Sequence, residues 1–100
     1  MIELDPACLE TIGGILDEHV PGCEVRVFGS RVSGEAHKYS DLDLAIKCPK
    51  PLTSEVMQAL MDAFSESDLP ILVDVSDWHE LSEGMRNRIE RQHEIIRRQP

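Results

Sequence analysis

The sequence is poor in aromatic residues and has no long apolar run. Aromatic residues make up 4% of the 100 residues, so Leu, Ile, Val, Met and Ala must fill the interior. No apolar run approaches the roughly 20 residues that a membrane-spanning helix needs. We therefore expect one small globular domain over residues 1–100 with no membrane association. A chain of this length buries a modest core, so a partner protein or a second copy is expected to cover part of its surface.

Basic charge is also scarce. Ten basic residues face 19 acidic ones, for a formal net charge of -9, and the acids are spread evenly along the chain. Such a chain repels a phosphate backbone, which argues against direct nucleic-acid binding. A basic protein partner, or a phosphate ligand bridged by a cation, would instead be attracted.

Cysteine is present in a number and spacing that do not suggest a metal or redox motif. The three residues, Cys8, Cys23 and Cys48, contain no CxxC pair, and the first residues lack the basic-then-apolar pattern of a secretion signal. From this pattern we expect reduced thiols and a cytoplasmic location.

The remaining pattern alternates helices and strands. Period-two or apolar runs predict strands over 24–28, 42–46 and 71–75, each bounded by turn residues or proline. Helices are predicted after three capping residues, Asp5, Thr53 and Ser82. Residues 94–96 fit either the end of the last helix or a short closing strand.

Two acids interrupt the second predicted strand. Residues two apart in a strand point to the same face about 6.6 Å apart, so Asp41 and Asp43 converge while Leu42 faces the core. Unscreened like charges so placed destabilise a fold unless a cation lies between them. Carboxylate oxygens suit Mg²⁺ or Mn²⁺, whose coordination is commonly completed by substrate phosphates. The pair therefore predicts a metal site that takes a nucleoside triphosphate.

A third acid, Asp74, lies between Val73 and Val75 in another strand pattern. If the second and third strands are neighbours, its carboxylate reaches the same face. Three acids can hold two metal ions about 4 Å apart for in-line displacement at phosphorus, or leave one acid free to accept the nucleophile's proton. The alternative is a plain strand residue, and for Asp74 taken alone the two interpretations are evenly balanced.

Upstream, Gly29, Ser30 and Arg31 follow the first predicted strand. A glycine that closes a strand lets the backbone approach a ligand, and a serine offers its hydroxyl and N–H to phosphate oxygens. We expect Arg31 to contact phosphate as well, although it could instead be a surface charge. Neither a Walker A sequence nor a GxGxxG fingerprint is present.

Gly29-Ser30, ten residues, then Asp41-Leu42-Asp43 resembles the signature of DNA polymerase β-like nucleotidyltransferases. The chain looks similar to the minimal nucleotidyltransferases (MNT), the antitoxins of HEPN–MNT toxin–antitoxin pairs. The resemblance implies an α/β palm with a mixed sheet flanked by helices, Mg²⁺ at Asp41, Asp43 and Asp74, and nucleotide phosphates at Gly29, Ser30 and Arg31.

The implied activity is transfer of AMP from Mg-ATP to a tyrosine hydroxyl of a cognate HEPN ribonuclease toxin. Two alternatives remain open: an antitoxin that acts by binding alone, and nucleotidyl transfer to a small-molecule hydroxyl. The chain departs from the family pattern at Ser33, where an arginine is expected, and over residues 37–39, which are His-Lys-Tyr.

Overall fold

The computed structural model describes residues 4–34 and 40–97. The predicted departures at residues 37–39 lie outside these ranges. In chain order the elements are α1 (Pro6–His19), β1 (Glu24–Phe28), α2 (Ser30–Ser33), β2 (Leu42–Lys47), α3 (Ser54–Glu66), β3 (Val73–Asp77), a 3-10 turn (Trp78–Glu80), α4 (Glu83–Arg91) and β4 (Glu94–Arg97). Among the helices of residues 4–34 and 40–97, none combines the length and the hydropathy of a membrane-spanning segment.

The four strands form one mixed sheet in the order β3-β2-β1-β4. β1 is antiparallel to both β2 and β4, whereas β2 and β3 run parallel. The predicted mixed sheet is thus confirmed, and so is the assumption that the second and third strands are neighbours.

The alternation of β1 and β2 separates the two faces of the sheet. One face carries the main core, in which α1 and α3 pack against the strands through the buried side chains of Ile12, Leu16, Val25, Val27, Leu42, Leu44, Ile46, Leu60 and Phe64. The opposite face holds a smaller cluster in which α4 and the 3-10 turn cover only part of the sheet, through Phe28, Ala45, Trp78, Leu81, Met85 and Ile89. The uncovered part of this second face is where polar residues of β2 can meet solvent.

Local capping places the helices where the sequence predicts them. Asp5 accepts a hydrogen bond from Ala7 N at 2.9 Å, and Pro6 occupies the first turn of α1. The hydroxyls of Thr53 and Ser82 accept from the backbone N–H three residues on, each at 3.2 Å.

Strand boundaries differ by one or two residues from the sequence-based expectation. β2 continues to Lys47, and β3 spans Val73–Asp77 rather than residues 71–75. Leu72, just before β3, is 74% exposed. Residues 94–97 form β4 rather than the end of α4, so the closing-strand alternative is the correct one. The last helix ends at Arg91 because the chain must reverse to pair with β1.

Trp78 anchors the second face of the sheet. Its side chain is 8% exposed, and the Arg26 guanidinium lies 4.9 Å from its ring centroid. Arg26 is itself buried and ion-paired with Glu24 at 2.6 Å and Glu90 at 2.8 Å. The Glu90 contact attaches α4 to β1, and it stabilises a buried cation that would otherwise be costly.

The expectation of reduced thiols is wrong for two of the three cysteines. Cys23 precedes β1 and Cys48 follows β2, so they extend the antiparallel register in which Glu24 pairs with Lys47. Their Cα atoms lie 4.6 Å apart and the two sulfurs form a disulfide, while Cys8 is free. Sequence spacing could not reveal this pair because the two residues meet only through strand pairing.

The disulfide should stabilise the fold measurably. A double Cys23→Ser, Cys48→Ser variant is expected to lose about 2–4 kcal/mol in free energy of unfolding, because the bond constrains the unfolded chain. Denaturant titration would measure this loss, with Cys8→Ser as the control. Reductant should bring the wild type to the stability of the double variant; equal stability of wild type and double variant without reductant would contradict the bond.

Candidate functional site

Three carboxylates meet on the partly uncovered face of the sheet. In the parallel pair formed by β2 and β3, Asp43 lies directly opposite Asp74. Asp41 immediately precedes β2, two residues before Asp43, and is exposed. Leu42 and Leu44, on the alternate positions, are fully buried in the main core. The structure thus brings the three predicted acids to adjacent strands on one face.

The electrostatics of this face are those of uncompensated negative charge. Burial raises the pKa of the Asp43 carboxyl, and the nearby charges of Asp74 and then Asp41 raise it further. Among the described residues, no ion pair neutralises any of the three acids. A bound cation would relieve this repulsion.

Carboxylates are the ligand type that an oxygen-coordinated divalent cation shared with a substrate requires. In residues 4–34 and 40–97 no group of three or more His, Cys, Asp or Glu side chains is arranged to hold a metal ion without further ligands. Mg²⁺ in nucleotide enzymes is commonly held by one or two carboxylates plus phosphate oxygens and water. An open arrangement of acids on neighbouring strands is compatible with that mode.

Gly29 lies against the central acid. It has a φ of +81°, and a Cβ at this position would overlap Asp43 Oδ2. The positive φ disfavours any residue with a side chain here, and a Cβ would also displace the Asp43 carboxylate. The end of β1 can therefore approach the acids directly, as expected for a backbone that borders a ligand site.

Ser30 begins α2 and lines a cavity of about 410 Å³ together with Gly29. Its hydroxyl makes no hydrogen bond to another described residue, so it is available to a ligand. The sequence-based expectation that Gly29 and Ser30 contact phosphate stays a prediction.

Arg31 occupies a different environment from its neighbours. Its side chain is buried, and its Nε and Nη2 donate to the Ser40 carbonyl at 3.2 and 2.8 Å. These bonds attach α2 to the residue that precedes Asp41. The predicted phosphate contact of Arg31 is not tested by this geometry, whereas a role in positioning the start of β2 is visible in it.

Asp77, two residues after the third predicted strand, connects two segments of the structure. Asp77 ends β3 and is 4% exposed. Its carboxylate accepts from Leu52 N at 2.7 Å and from His79 N at 3.0 Å. It therefore ties the segment before α3 to the end of β3. Asp77 lies three residues after Asp74 in β3, so their side chains point to opposite faces of the sheet. This spacing is the sequence signal that could have separated their roles.

The chain matches known proteins over most of its length. Residues 10–100 match the family described as polymerase beta, nucleotidyltransferase. The probable protein adenylyltransferase MntA of Haemophilus influenzae is 48% identical over 88 residues, which make up 88% of this chain and 77% of that protein.

Solved structures share the fold. A chain in the crystal structure of a toxin–antitoxin with AMP-PNP gives a TM-score of 0.77 at 23% identity, covering 90% of this chain and 73% of that one. A chain in a structure of the tri-AMPylated Shewanella oneidensis HEPN toxin in complex with MNT antitoxin gives a TM-score of 0.60 at 23% identity. This match covers 90% of the present chain and 69% of the other. The four-stranded mixed sheet and its flanking helices are therefore an established architecture.

The pKa of Asp43 predicts how stability depends on pH in metal-free protein. Because this pKa is raised above the ordinary aspartate value of 3.8, the folded state keeps a proton that the unfolded state has released. The free energy of unfolding should therefore fall as the pH rises from about 3.8 through the raised pKa.

Asp43→Asn should remove this fall and be more stable than wild type at neutral pH in the presence of EDTA. Urea titrations across the pH series would measure it. Asp68→Asn, at an exposed acid after α3, serves as the control and should keep the wild-type profile. An Asp43→Asn profile parallel to wild type would contradict the repulsion.

Proposed function

The chain belongs to the polymerase beta nucleotidyltransferase family, and from this membership we propose that it transfers AMP from ATP to a hydroxyl of a partner toxin. The 48% identity to a probable protein adenylyltransferase supports the reaction. The likeness to toxin–antitoxin structures, one of which contains an AMPylated HEPN toxin, supports a HEPN-type toxin as the acceptor. The acceptor residue is proposed to be a tyrosine. The observation that carries the proposal is the convergence of Asp41, Asp43 and Asp74 beside Gly29.

Asp41 and Asp43 are proposed to hold the divalent cation, Mg²⁺ or Mn²⁺, with Asp74 as a further ligand. A bound cation of this kind would neutralise phosphate charge and polarise the α-phosphorus. Asp43 is half-buried between β1 and β3, which fixes its direction, whereas Asp41 is exposed. Gly29 and Ser30 border the position from which the triphosphate would extend.

Asp74 is proposed to accept the proton of the acceptor hydroxyl. It is exposed, so a partner protein can reach it, and it lies opposite Asp43 across the β2–β3 pair. The hydroxyl oxygen attacks the α-phosphorus as the bond to the bridging oxygen of the β-phosphate breaks. AMP then remains bonded to the oxygen of the partner's hydroxyl, and pyrophosphate leaves with the electron pair of the broken bond.

A binding-only antitoxin is the second candidate, and the net charge of -9 supports it by favouring a basic partner surface. The two candidates differ in whether neutralisation needs the acids. Transfer to a small-molecule hydroxyl has no specific observation in its favour, because the described chain offers no separate substrate domain.

Radiolabelled ATP should label the co-encoded partner in the presence of Mg²⁺. An Asp41→Asn, Asp43→Asn double variant should lose transfer by about 10³-fold or more while still folding, because the ligands that hold the substrate charge are gone. The same variant should fail to neutralise the partner in cells. Full neutralisation by the double variant would instead establish the binding-only antitoxin.

Asp74→Asn separates proton transfer from nucleotide binding. It should retain most of the ATP affinity seen by calorimetry with Mg²⁺, yet lose about 10²–10⁴-fold in single-turnover transfer. Asp41→Asn and Asp43→Asn should instead lose affinity and rate together. Wild-type transfer by Asp74→Asn would reduce Asp74 to a strand residue.

A further inference from the structure

The cavity beside Ser30 has a second wall that the family signature does not include. One wall comes from the end of β1 and from α2, with Gly29 between them, and the other comes from α4 and its C-cap residue Gln92. The lining residues are Phe28, Gly29, Ser30, Ser33, Met85, Arg88, Ile89 and Gln92. Its volume of about 410 Å³ falls within the roughly 300–1,000 Å³ usual for small-molecule sites. α4 therefore faces the proposed phosphate-binding residues across a space large enough for part of a nucleotide.

The described lining carries no acidic side chain. Among residues 4–34 and 40–97, those that line the cavity include no Asp or Glu, and Asp41, Asp43 and Asp74 lie outside it. Two serines and a glutamine supply hydrogen-bonding groups, and Arg88 supplies the positive charge. In a chain with net charge -9, such a lining favours an anion.

Arg88 is also uncommitted within the described part of the chain. Its guanidinium makes no hydrogen bond or ion pair there, whereas two other arginines of this face are engaged. Arg26 pairs with glutamates, and Arg86 donates to the Trp78 carbonyl at 2.9 Å and the His79 carbonyl at 3.0 Å. An unpaired guanidinium fork is well suited to two phosphate oxygens.

A structural role would also account for a basic residue at this position. Arg88 and Arg91 both lie in the last turn of α4, where positive charge stabilises the helix dipole. That effect does not depend on the cavity, and Arg91 does not line it. Arg91 is therefore a matched control with the same charge on the same turn.

We propose that Arg88, assisted by Gln92, binds the β- and γ-phosphates of the nucleotide and thus the pyrophosphate that leaves. This rests on the proposed function. The α-phosphate must lie near the acids, and Asp43, the central one, lies against Gly29 at the end of β1. From there the triphosphate runs past Ser30 into the cavity, where Arg88 meets the charge that grows on the leaving group as the bond between the α-phosphorus and the bridging oxygen breaks.

The test is calorimetry on the full chain with Mg²⁺, using ATP and inorganic pyrophosphate as separate probes. Arg88→Gln should weaken both by about 10- to 100-fold, the range for a lost charge-assisted contact, and Arg91→Gln should stay within about twofold of wild type. Arg88→Lys should be intermediate, because it keeps the charge without the fork. Thermal melts of the two glutamine variants control for folding.

Other outcomes overturn the assignment in distinguishable ways. Unchanged ATP and pyrophosphate affinity in Arg88→Gln, with wild-type transfer intact, would overturn the role of Arg88 and leave the proposed function standing. A changed preference between ATP and GTP with unchanged pyrophosphate affinity would place the base in the cavity and overturn the phosphate assignment. Absence of nucleotide binding and transfer in the wild type would overturn the proposed function and this inference together.

Discussion

The pairing of β2 on both of its edges is the constraint on which the rest of the site depends. Its antiparallel partner places Phe28 opposite Asp43, and its parallel partner places Asp74 opposite the same residue. Because side chains alternate between faces, a one-residue slip would turn Asp43 into the apolar core and Leu44 toward solvent. The register therefore determines at once which residues stabilise the fold and which can bind a ligand.

The second requirement is that α4 covers only part of the face that carries the acids. The ion pair of Arg26 with Glu90 and the contacts of Trp78 hold α4 and the 3-10 turn against β1 and β2. If α4 lay further along the strands, it would bury the carboxylates. Without α4, the cavity would have only the wall that β1 and α2 provide. The structural ion pairs and the proposed chemistry thus share a face without sharing residues.

Much of this arrangement was predictable from local patterns. The alternation around Asp43 and Asp74, the glycine after β1 and the helix caps each depend on a few neighbouring residues. What depended on long-range packing was not predictable. The Cys23–Cys48 bond can be predicted only when the pairing register of β1 and β2 is known. The contact of the Arg31 side chain with the Ser40 carbonyl depends on how α2 packs beside the start of β2.

The placement of Arg88 at the cavity also depends on long-range packing and was not predictable from local patterns. A series of arginines and glutamates at helical spacing is typical of a solvated surface, and composition does not tell which member faces a cavity. Arg86 and Arg88 lie two residues apart in α4 but have different surroundings. Arg86 donates to backbone carbonyls, whereas Arg88 lines the cavity. β4 was ambiguous for a related reason, since its strand character comes from pairing with β1.

The pairing of β1 with β4 has a consequence for the order of folding. Strand β4, near the end of the described chain, pairs with β1, which lies much earlier in it. Arg97 of β4 also contacts α1: its guanidinium occupies the space that a Cβ on Gly13 would need, and its Nε donates a hydrogen bond to Asp17 at 2.8 Å. Contacts between such distant segments form late, because closing a long loop costs entropy before the contact forms. The cavity takes one wall from β1 and the other from α4, so it cannot exist in a nascent chain that lacks residues 83–97. During synthesis, the proposed nucleotide site would therefore form only after residues 83–97 have been added.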